Sequence, residues 1–213
     1  HNDKIRLLEN EIELIKKQMN DISKKISSAR KLSKSKIQIG IESAFKNLAL
    51  KNSKIDFNLT ESDEFNKNGI NNIEVLYKPS VQSSPKLLSK IASGGEKSRI
   101  LFALKSILSK KIDLPTLVFD EIDSGTSGEI ANAIGKMMKI MGKKIQIIAI
   151  THLPQVASLA DYHYKVFKIE GEKNISTNIK KLDKSSRIKE IASMISGENI
   201  TESAINQAQE LLK

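Results

Sequence analysis

The sequence predicts an α/β fold, in which a mainly parallel sheet with flanking helices follows a long N-terminal coiled-coil helix. The long helix is predicted because the first apolar residues recur in alternating steps of three and four, which is the spacing of a coiled-coil seam. The parallel sheet is predicted because short apolar runs alternate with helical patterns in the second half of the chain. Parallel strands need a crossover between them, and that crossover is usually a helix.

The composition excludes several classes of protein. The chain has 213 residues, of which 39% are hydrophobic and 28% are charged, and such values are typical of a soluble folded protein. It contains no cysteine, which excludes disulfides and thiolate metal sites. No apolar run approaches the roughly 18 residues that a membrane helix requires, and no signal peptide pattern is present. We therefore expect a cytoplasmic protein without a membrane partner.

The seam of the first helix consists of apolar residues at heptad spacing: Ile5, Leu8, Ile12, Ile15, Met19, Ile22, Ile26 and Ala29. The apolar stripe is narrower than that of an ordinary amphipathic helix packed on a domain, which is the alternative interpretation. The seam needs a partner helix, and the sequence contains no second heptad run. We assign residues 1–36 to a coiled-coil arm, the C-terminal strand of a helical hairpin, and residues 37–213 to a head domain.

Positive charge is the second feature of this helix and of the chain as a whole. The formal net charge is +10, which favours a polyanionic partner, with nucleic acid ahead of membrane. Free use of lysine by an AT-rich genome would give the same balance. A stretch that we call the basic run carries no acidic residue and contains Lys24, Lys25, Arg30, Lys31, Lys34 and Lys36. It would either contact DNA phosphates or form a solvated helix face.

Local patterns divide the rest of the chain into strands and helices. Alternating or continuous apolar runs predict strands at 54–59, 72–77, 116–121 and 145–152, and a later hairpin that turns at Glu170-Gly171. Apolar periodicity predicts a helix from about 95 to 108 and a second helix that follows the glycine-rich turn at 124–129 and ends at about 141. It also predicts helices at 185–195 and 201–212. Gly142 is well placed to end the second of these helices, and Thr201 is a plausible N-cap of the last.

An acidic pair ends the predicted strand "TLVFDE". Asp120 would be held rigidly at the strand end, where it could bind Mg²⁺, because magnesium favours carboxylates combined with phosphates. Glu121 points the other way on a strand and could reach an attacking water as a general base. The alternative is a chance pair of acids at the point where a strand meets solvent.

Two further motifs each have a plain structural explanation when taken singly. His152 follows the strand of "IQIIAITH" and could contact a γ-phosphate, although a single histidine is more often structural. Ser93, Gly94 and Gly95 precede a helix, whose first N–H groups attract anions, although a serine-capped glycine turn has the same appearance. Because parallel strands end at one edge of a sheet, we expect Asp120 and His152 at the same edge.

The order of these motifs resembles the C-terminal half of an ATP-binding-cassette (ABC) ATPase head. "SGGE" at 93–96 resembles the signature motif, "LVFDE" the Walker B strand and "ITH" the switch histidine. A coiled coil that runs directly into this half is typical of the SMC-like branch. Within that branch, "FDEIDSGTSG" and "THLPQVA" are similar to the RecN family of bacterial DNA repair ATPases. The resemblance covers nearly the whole chain.

The resemblance implies ATP and Mg²⁺ as cofactors and a role for each motif. Asp120 would hold Mg²⁺, Glu121 would activate water, and His152 would sense the γ-phosphate. Two groups would act across a homodimer of heads. The signature residues that would contact ATP on the second head are Ser93, Gly94, Gly95 and Glu96. The residues of the turn that would cross the interface are Ser124, Gly125, Thr126 and Ser127, which lack the leucine-aspartate pair of most cassettes.

The sequence lacks a Walker A loop of the form G-x-x-x-x-G-K-[ST]. In RecN-like proteins that loop precedes the first coiled-coil arm, so we expect this chain to be the C-terminal part of a longer protein. The N-terminal half of that protein would supply both the loop and the partner helix, and the present chain alone would be inactive.

The resemblance further implies action on DNA double-strand breaks, at ends or single-stranded tails, in the nucleoid. Two alternatives remain at this point. One is a non-catalytic coiled-coil module that binds or tethers DNA, and the other is half of a different SMC-type ABC ATPase.

Overall fold

The computed structural model describes residues 2–91, 94–109, 111, 113–120, 122, 126, 128–170 and 175–213. The described residues fall into two units. Unit 1 lies within residues 1–46 and 50–92, and unit 2 lies within residues 47–49 and 93–213. No helix among the described residues is both long enough and apolar enough to cross a membrane.

Unit 1 consists of one long helix and an antiparallel sheet. Its elements are α1 (Asn2–Phe45), β1 (Lys54–Asn66), β2 (Gly69–Lys78), β3 (Lys86–Leu87) and a 3₁₀ turn at Leu88–Lys90. The sheet order is β1-β2-β3, so the predicted strands at 54–59 and 72–77 are confirmed. They pair antiparallel as a hairpin, which was not predicted. Helix α1 continues without a break past residue 36, and the boundary that we drew there stays a prediction.

The first half of α1 leaves its apolar seam in solvent. The seam side chains from Ile5 to Ile22 are each between 38 and 57% exposed, and the buried residues of the helix begin at Ser23. A helix of 44 residues with such an apolar stripe needs a partner that buries the stripe, because helices in proteins gain most of their stability from packing of their apolar face. The exposed seam is consistent with the predicted coiled-coil arm.

The β1–β2 hairpin lies along the second half of α1. As β1 advances, its partners on the helix move backward: Lys54 pairs with Glu42 at 2.8 Å, Asp56 with Lys34 at 2.8 Å and Glu61 with Lys31 at 3.5 Å. β1 therefore runs antiparallel to α1. Part of the basic run is thus engaged with acids of the hairpin, which favours a structural role for Lys31 and Lys34 over contacts with DNA.

The turn of the hairpin is fastened to the helix by a buried amide. Asn71 accepts hydrogen bonds from Ser27 Oγ at 2.8 Å and from Arg30 Nη1 at 3.0 Å. Arg30 Nη2 also donates to the Asn68 carbonyl at 2.7 Å. Gly69 has a φ of +93°, a conformation that glycine adopts without the steric cost met by other residues. At the other end of the hairpin, Phe45 and Tyr77 meet edge to face in the core, with their ring centroids 6.3 Å apart.

Unit 2 contains the alternating strands and helices. Its elements are α2 (Gly94–Leu108), β4 (Thr116–Asp120), α3 (Gly128–Gly142), β5 (Gln146–Ile150), α4 (Pro154–Ala157), β6 (Tyr164–Glu170), β7 (Ile175–Lys181), α5 (Lys184–Ser196) and α6 (Glu202–Leu211). β4 and β5 are parallel, as predicted, whereas β6 and β7 form an antiparallel hairpin. The predicted turn of that hairpin begins at Glu170, and Gly171 lies outside the described residues.

The helix ends of unit 2 follow from local chemistry. Asp183 caps α5 by accepting from the Ser186 N–H at 2.7 Å. Thr201 caps α6 by accepting from the Ala204 N–H at 3.2 Å, which confirms the predicted N-cap. Gly197 ends α5 with a φ of +77°. A short side chain that accepts a first-turn N–H and a glycine at the C-terminus are the usual start and stop of a helix.

Two packing clusters hold unit 2 together. Phe102 of α2 and Phe119 of β4 meet edge to face, with their ring centroids 5.1 Å apart. The second cluster joins α4, α5 and α6 through small and branched side chains: Ala157, Ile191, Ala192, Ala204 and Ala208. Since α4 belongs to this cluster, the C-terminal helices support the segment that follows β5.

Candidate functional site

The ends of β4 and β5 bring two of the predicted site residues to one edge. Along the parallel ladder Thr116 pairs with Gln146, and at the other end Asp120 pairs with Ile150. The two strands therefore stop at the same level, and Thr151 and His152 follow directly. Both Asp120 and His152 are exposed, so each can reach a ligand in solvent.

Packing beneath β4 determines the direction of Asp120. Phe119 is buried against Phe102, and the Lys105 ammonium lies 5.4 Å from the centroid of the Phe119 ring. Successive side chains of a strand point to opposite faces. Because Phe119 is held in the core, Asp120 is turned away from it and into solvent. This geometry gives a carboxylate at a rigid position at the strand end.

The segment after β5 is organised by a side-chain turn. The Leu153 N–H donates to Thr151 Oγ1 at 3.0 Å, a local hydrogen bond that bends the chain at His152. Pro154 then begins α4, where its missing N–H costs nothing. His152 is thus held between the end of a strand and the start of a helix.

The glycine motif lies at the beginning of α2. Gly94, Gly95 and Glu96 form its first turn, where the backbone N–H groups have no intrahelical acceptor and favour anions. A Cβ built on Gly94 would meet no described atom within 4 Å, so a phosphate could approach the backbone closely there. Ser93, the other member of the motif, lies outside the described residues.

The remaining predicted site residues lie mostly outside the part of the chain that the structure describes. Glu121 belongs to this group, as do Ser124, Gly125 and Ser127 of the predicted interface turn. Thr126 is described and is partly buried. The roles of these residues stay predictions.

The donor set at this edge suits magnesium bound together with phosphates. Among the described residues, no group of three or more histidine, aspartate or glutamate side chains could enclose a metal ion. Asp120 offers a single carboxylate, and Mg²⁺ is commonly held by one or two carboxylates plus substrate phosphates and water. Asp120 therefore fits a Mg²⁺ ion that arrives with a nucleotide, and it does not form a closed protein metal site.

One residue that touches this region was not predicted. Arg187 of α5 donates to backbone carbonyls at the end of α4, and α4 follows His152 by one residue. In the sequence Arg187 is one of many basic residues in amphipathic helices. No local pattern distinguishes it, because its partners lie 27 to 30 residues away.

The fold and the order of its motifs define the class of protein: the chain has the fold of SMC-type head domains, with a long N-terminal helix. A crystal structure of the Smc head domain with a coiled coil and joint from Pyrococcus yayanosii matches 93% of this chain and 36% of that one, with a TM-score of 0.66 and 21% identity. A Pyrococcus furiosus Smc head with an extended coiled coil, bound to the C-terminal domain of ScpA, has a TM-score of 0.59 at 22% identity over 89% of this chain and 46% of that one.

Within that class the chain belongs with the RecN proteins. It is 37% identical over 191 residues to the DNA repair protein RecN of Rickettsia bellii, which covers 90% of this chain and 35% of the relative. It is 32% identical over 214 residues to the DNA repair protein RecN of Halalkalibacterium halodurans, covering 99% of this chain and 38% of the relative. The chain thus spans little more than a third of the length of these relatives. No family model matches the chain.

Proposed function

We propose that the chain acts as one lobe of an ATP-hydrolysing head in a longer DNA repair protein. The observation that carries this proposal is the common edge at which β4 and β5 end, with Asp120 on one strand and His152 after the other. The relatives to which the chain is similar are named DNA repair proteins. The first-turn glycines of α2 add a second surface suited to phosphate.

In the proposed reaction each residue of the edge has one task. Asp120 would hold the Mg²⁺ ion that accompanies ATP. Glu121 accepts a proton from the attacking water. His152 contacts the γ-phosphate and orients the water. When bound, the Mg²⁺ ion would supply electrostatic stabilisation of the phosphate charge, and the side chains of this lobe position the water.

The signature motif acts on a nucleotide that a second head holds. Ser93, Gly94 and Gly95 contact the γ-phosphate of ATP across a homodimer interface, and Glu96 completes this ATP-binding signature. The turn from Ser124 to Ser127 crosses the same interface. One structural neighbour, at 19% identity and a TM-score of 0.53, comes from work on ATP-driven dimerization and DNA stimulated activation of SMC ATPases. In our proposal ATP joins the two heads and hydrolysis releases them.

An N-terminal half of the same protein completes the head. The parallel sheet of the described residues has only β4 and β5, and its apolar side chains Val118, Ile148 and Ile150 are 52, 45 and 54% exposed. The strands of a parallel sheet are usually buried on both faces. The exposure of these side chains supports the proposal that a further segment packs on this sheet. That segment would carry the Walker A loop and the partner helix of α1.

DNA is the proposed substrate of the complete protein, at double-strand breaks with ends or single-stranded tails, in the cytoplasm and associated with the nucleoid. The net charge of +10 supports a polyanionic partner. Within the basic run, Lys31 and Lys34 pair with acids of the hairpin. The members left for DNA are therefore Lys24, Lys25 and Lys36, which are exposed.

The test is ATP turnover by the longer protein that carries a Walker A loop, with Glu121→Gln in this chain. We expect the maximal rate to fall by at least about 100-fold, while ATP-dependent head association persists because the nucleotide still binds. Glu129→Gln is the matched control, since Glu129 is an exposed acid in the first turn of α3. Unchanged hydrolysis by Glu121→Gln would contradict the catalytic assignment and favour a non-catalytic tethering module.

The 213-residue chain by itself should not turn over ATP, because it has no Walker A loop to hold the β- and γ-phosphates. The purified chain is assayed for phosphate release with ATP and Mg²⁺. Magnesium-dependent turnover that a Glu121→Gln variant abolishes would show that the Walker A segment is dispensable.

A further inference from the structure

Arg187 holds the end of the short helix that follows His152. Its Nη2 lies 3.2 Å from the Ala157 carbonyl oxygen, 3.0 Å from that of Ser158 and 2.5 Å from that of Ala160. One guanidinium nitrogen therefore donates to a cluster of carbonyls at the C-terminus of α4. Hydrogen bonds from a charged donor are stronger than neutral ones, and a cation at a helix C-terminus also complements the helix dipole.

Helix α4 needs such support because it is very short. It has four residues, and an isolated helix of that length is unstable in water because nucleation is costly. The last carbonyls of a helix have no intrahelical donor and require other partners. Arg187 adds a charged donor from α5 to the Ala157 carbonyl, which also accepts from the Ala160 N–H at 3.4 Å. The end of α4 is therefore tied to a helix that lies 27 or more residues further along the chain.

Packing holds α4 from two further directions. Ala157 is buried among Ile191, Ala192 and the alanines of α6. On the other side, α3 comes so close that a Cβ on Gly135 would lie 2.8 Å from Leu159 Cδ1 and 3.4 Å from the Val156 Cα. A helix fixed on both sides can transmit its position to the residues at its N-terminus.

The N-terminal end of α4 is joined to His152 by one residue. Pro154 begins the helix, and the Leu153 N–H is bonded to Thr151 Oγ1 at 3.0 Å. Little freedom remains between the fixed helix and the histidine, because proline restricts both its own φ and the residue before it.

We propose that Arg187 is a positioning residue for His152, and that α5 sets the orientation of the switch histidine through α4. The catalytic meaning of this proposal rests on the proposed function, whereas the structural coupling does not. His152 is exposed at the sheet edge with no described side chain to hold its ring there. Its placement depends on the backbone, and Arg187 adds charged hydrogen bonds to the packing that fixes this backbone from outside the local segment.

The coupling is tested in the 213-residue chain by hydrogen exchange and by NMR of the His152 ring, comparing Arg187→Gln with Lys189→Gln. Lys189 is exposed on the same helix, so the control removes the same charge without removing the hydrogen bonds of Arg187 to the carbonyls. We expect the hydrogen-bonded amides of Leu153, Val156 and Ala157 to exchange about tenfold faster in Arg187→Gln. We also expect the His152 ring signals to shift, with neither change in the control. His163 lies near Arg187 and is not used as the reporter.

Unchanged His152 signals and an unchanged Leu153 amide, with changes confined to Ala157–Ala160, would overturn the proposal. If Arg187→Gln does not fold, as judged by circular dichroism, Arg187→Lys takes its place. Lysine keeps the charge but offers a single ammonium instead of a planar fork, so an intermediate increase in exchange at Leu153 is expected, and wild-type exchange there would equally overturn the coupling.

The functional arm uses the longer protein. Arg187→Gln is expected to lower kcat for ATP about tenfold, to leave KM within about twofold, and to be partly restored in Arg187→Lys. A normal kcat together with altered His152 signals would reject only the functional part of the inference. A normal kcat in Glu121→Gln would instead reject the proposed function, so the two failures are distinguishable.

Discussion

Asp120, the last residue of β4, is the ladder partner of Ile150, the last residue of β5. The pairing places the carboxylate level with the point at which the chain turns towards His152. Asp120 is exposed, so its removal should affect ligand binding far more than folding. Because effects on binding can be separated from effects on folding at this position, substitution of Asp120 is the most direct test of the proposed metal site.

Asp120→Asn in the longer protein is expected to lower Mg²⁺-dependent ATP turnover by at least about 100-fold, because an amide replaces the charged metal ligand. The midpoint of thermal unfolding should change little, since substitutions of exposed residues are usually close to neutral. Asp113→Asn is the matched control, being an exposed acid just before β4. Turnover equal to that of the control would exclude Asp120 as a magnesium ligand.

Asn71 should hold the hairpin on α1 through its acceptor oxygen alone. Arg30 can only donate, so the atom that it contacts must be the oxygen, and the buried Nδ2 has no hydrogen-bond partner among the described residues. Asn71→Ala is expected to lower the free energy of unfolding by about 1–3 kcal/mol, because Ser27 and Arg30 lose their acceptor. Asn71→Asp keeps the acceptor, removes the unpaired donor and should cost clearly less in urea titrations. Equal losses in both variants would contradict this account.

Gly135 should tolerate no bulky side chain, because α3 and α4 meet there. Gly135→Val is expected to lower the free energy of unfolding by about 1–3 kcal/mol, the usual cost of overpacking. Gly135→Ala should cost less, since alanine gains about 1 kcal/mol over glycine in a helix. Gly142→Ala is the control, as its Cβ would lie an ordinary 4.0 Å from Ile147. A Gly135→Val variant as stable as this control in urea titrations would refute the close contact.

His163 should make the folded chain less stable as the solution is acidified. Burial lowers the pKa of His163, Arg187 and Lys165 lower it further, and Glu190 opposes them. The unfolded chain then takes up the proton more readily than the folded one. The contribution to stability is complete above the ordinary pKa of about 6.5 and is lost as the pH falls towards the lower folded value.

The measurement is the free energy of unfolding at about pH 7.5 and about pH 5.5, on either side of the ordinary histidine pKa. His163→Gln should reduce the difference between the two values. NMR titration should also show the pKa of His163 rising in Arg187→Gln, since one positive charge is removed. A pH dependence that survives His163→Gln would assign the effect to other groups.

Much of the architecture could be predicted because its causes are local. Thr201 caps a helix with its own hydroxyl, and the glycine at 197 ends the preceding helix through its own φ. The apolar strands around Phe119 and Ile148 could be recognised by composition, and their parallel pairing followed from the helix between them. The common edge of Asp120 and His152 was predictable for the same reason.

Other features could not be predicted, because they depend on residues far apart in the chain. The sequence shows a basic run on α1 but not that Lys34 pairs with Asp56 across the hairpin, an interaction that also lowers the pKa of Asp56. From the sequence alone the basic run could contact DNA phosphates, although a solvated helix face is the commoner explanation. In the folded unit, Lys31 and Lys34 of the basic run form ion pairs with acids of β1.

Short-range periodicity and capping were therefore enough to locate most of the helices and strands, since each depends on neighbours within a few residues. The full lengths of β1 and β2 and the short strand β3 were not predicted. Tertiary structure alone decided what supports the motifs: the hairpin on α1, the approach of α3 to α4 at Gly135, and the clamp of Arg187 on the carbonyls of α4. Each of these contacts joins residues that are far apart in the sequence. Such contacts depend on distances in the folded chain, and they produce no periodic pattern in the sequence.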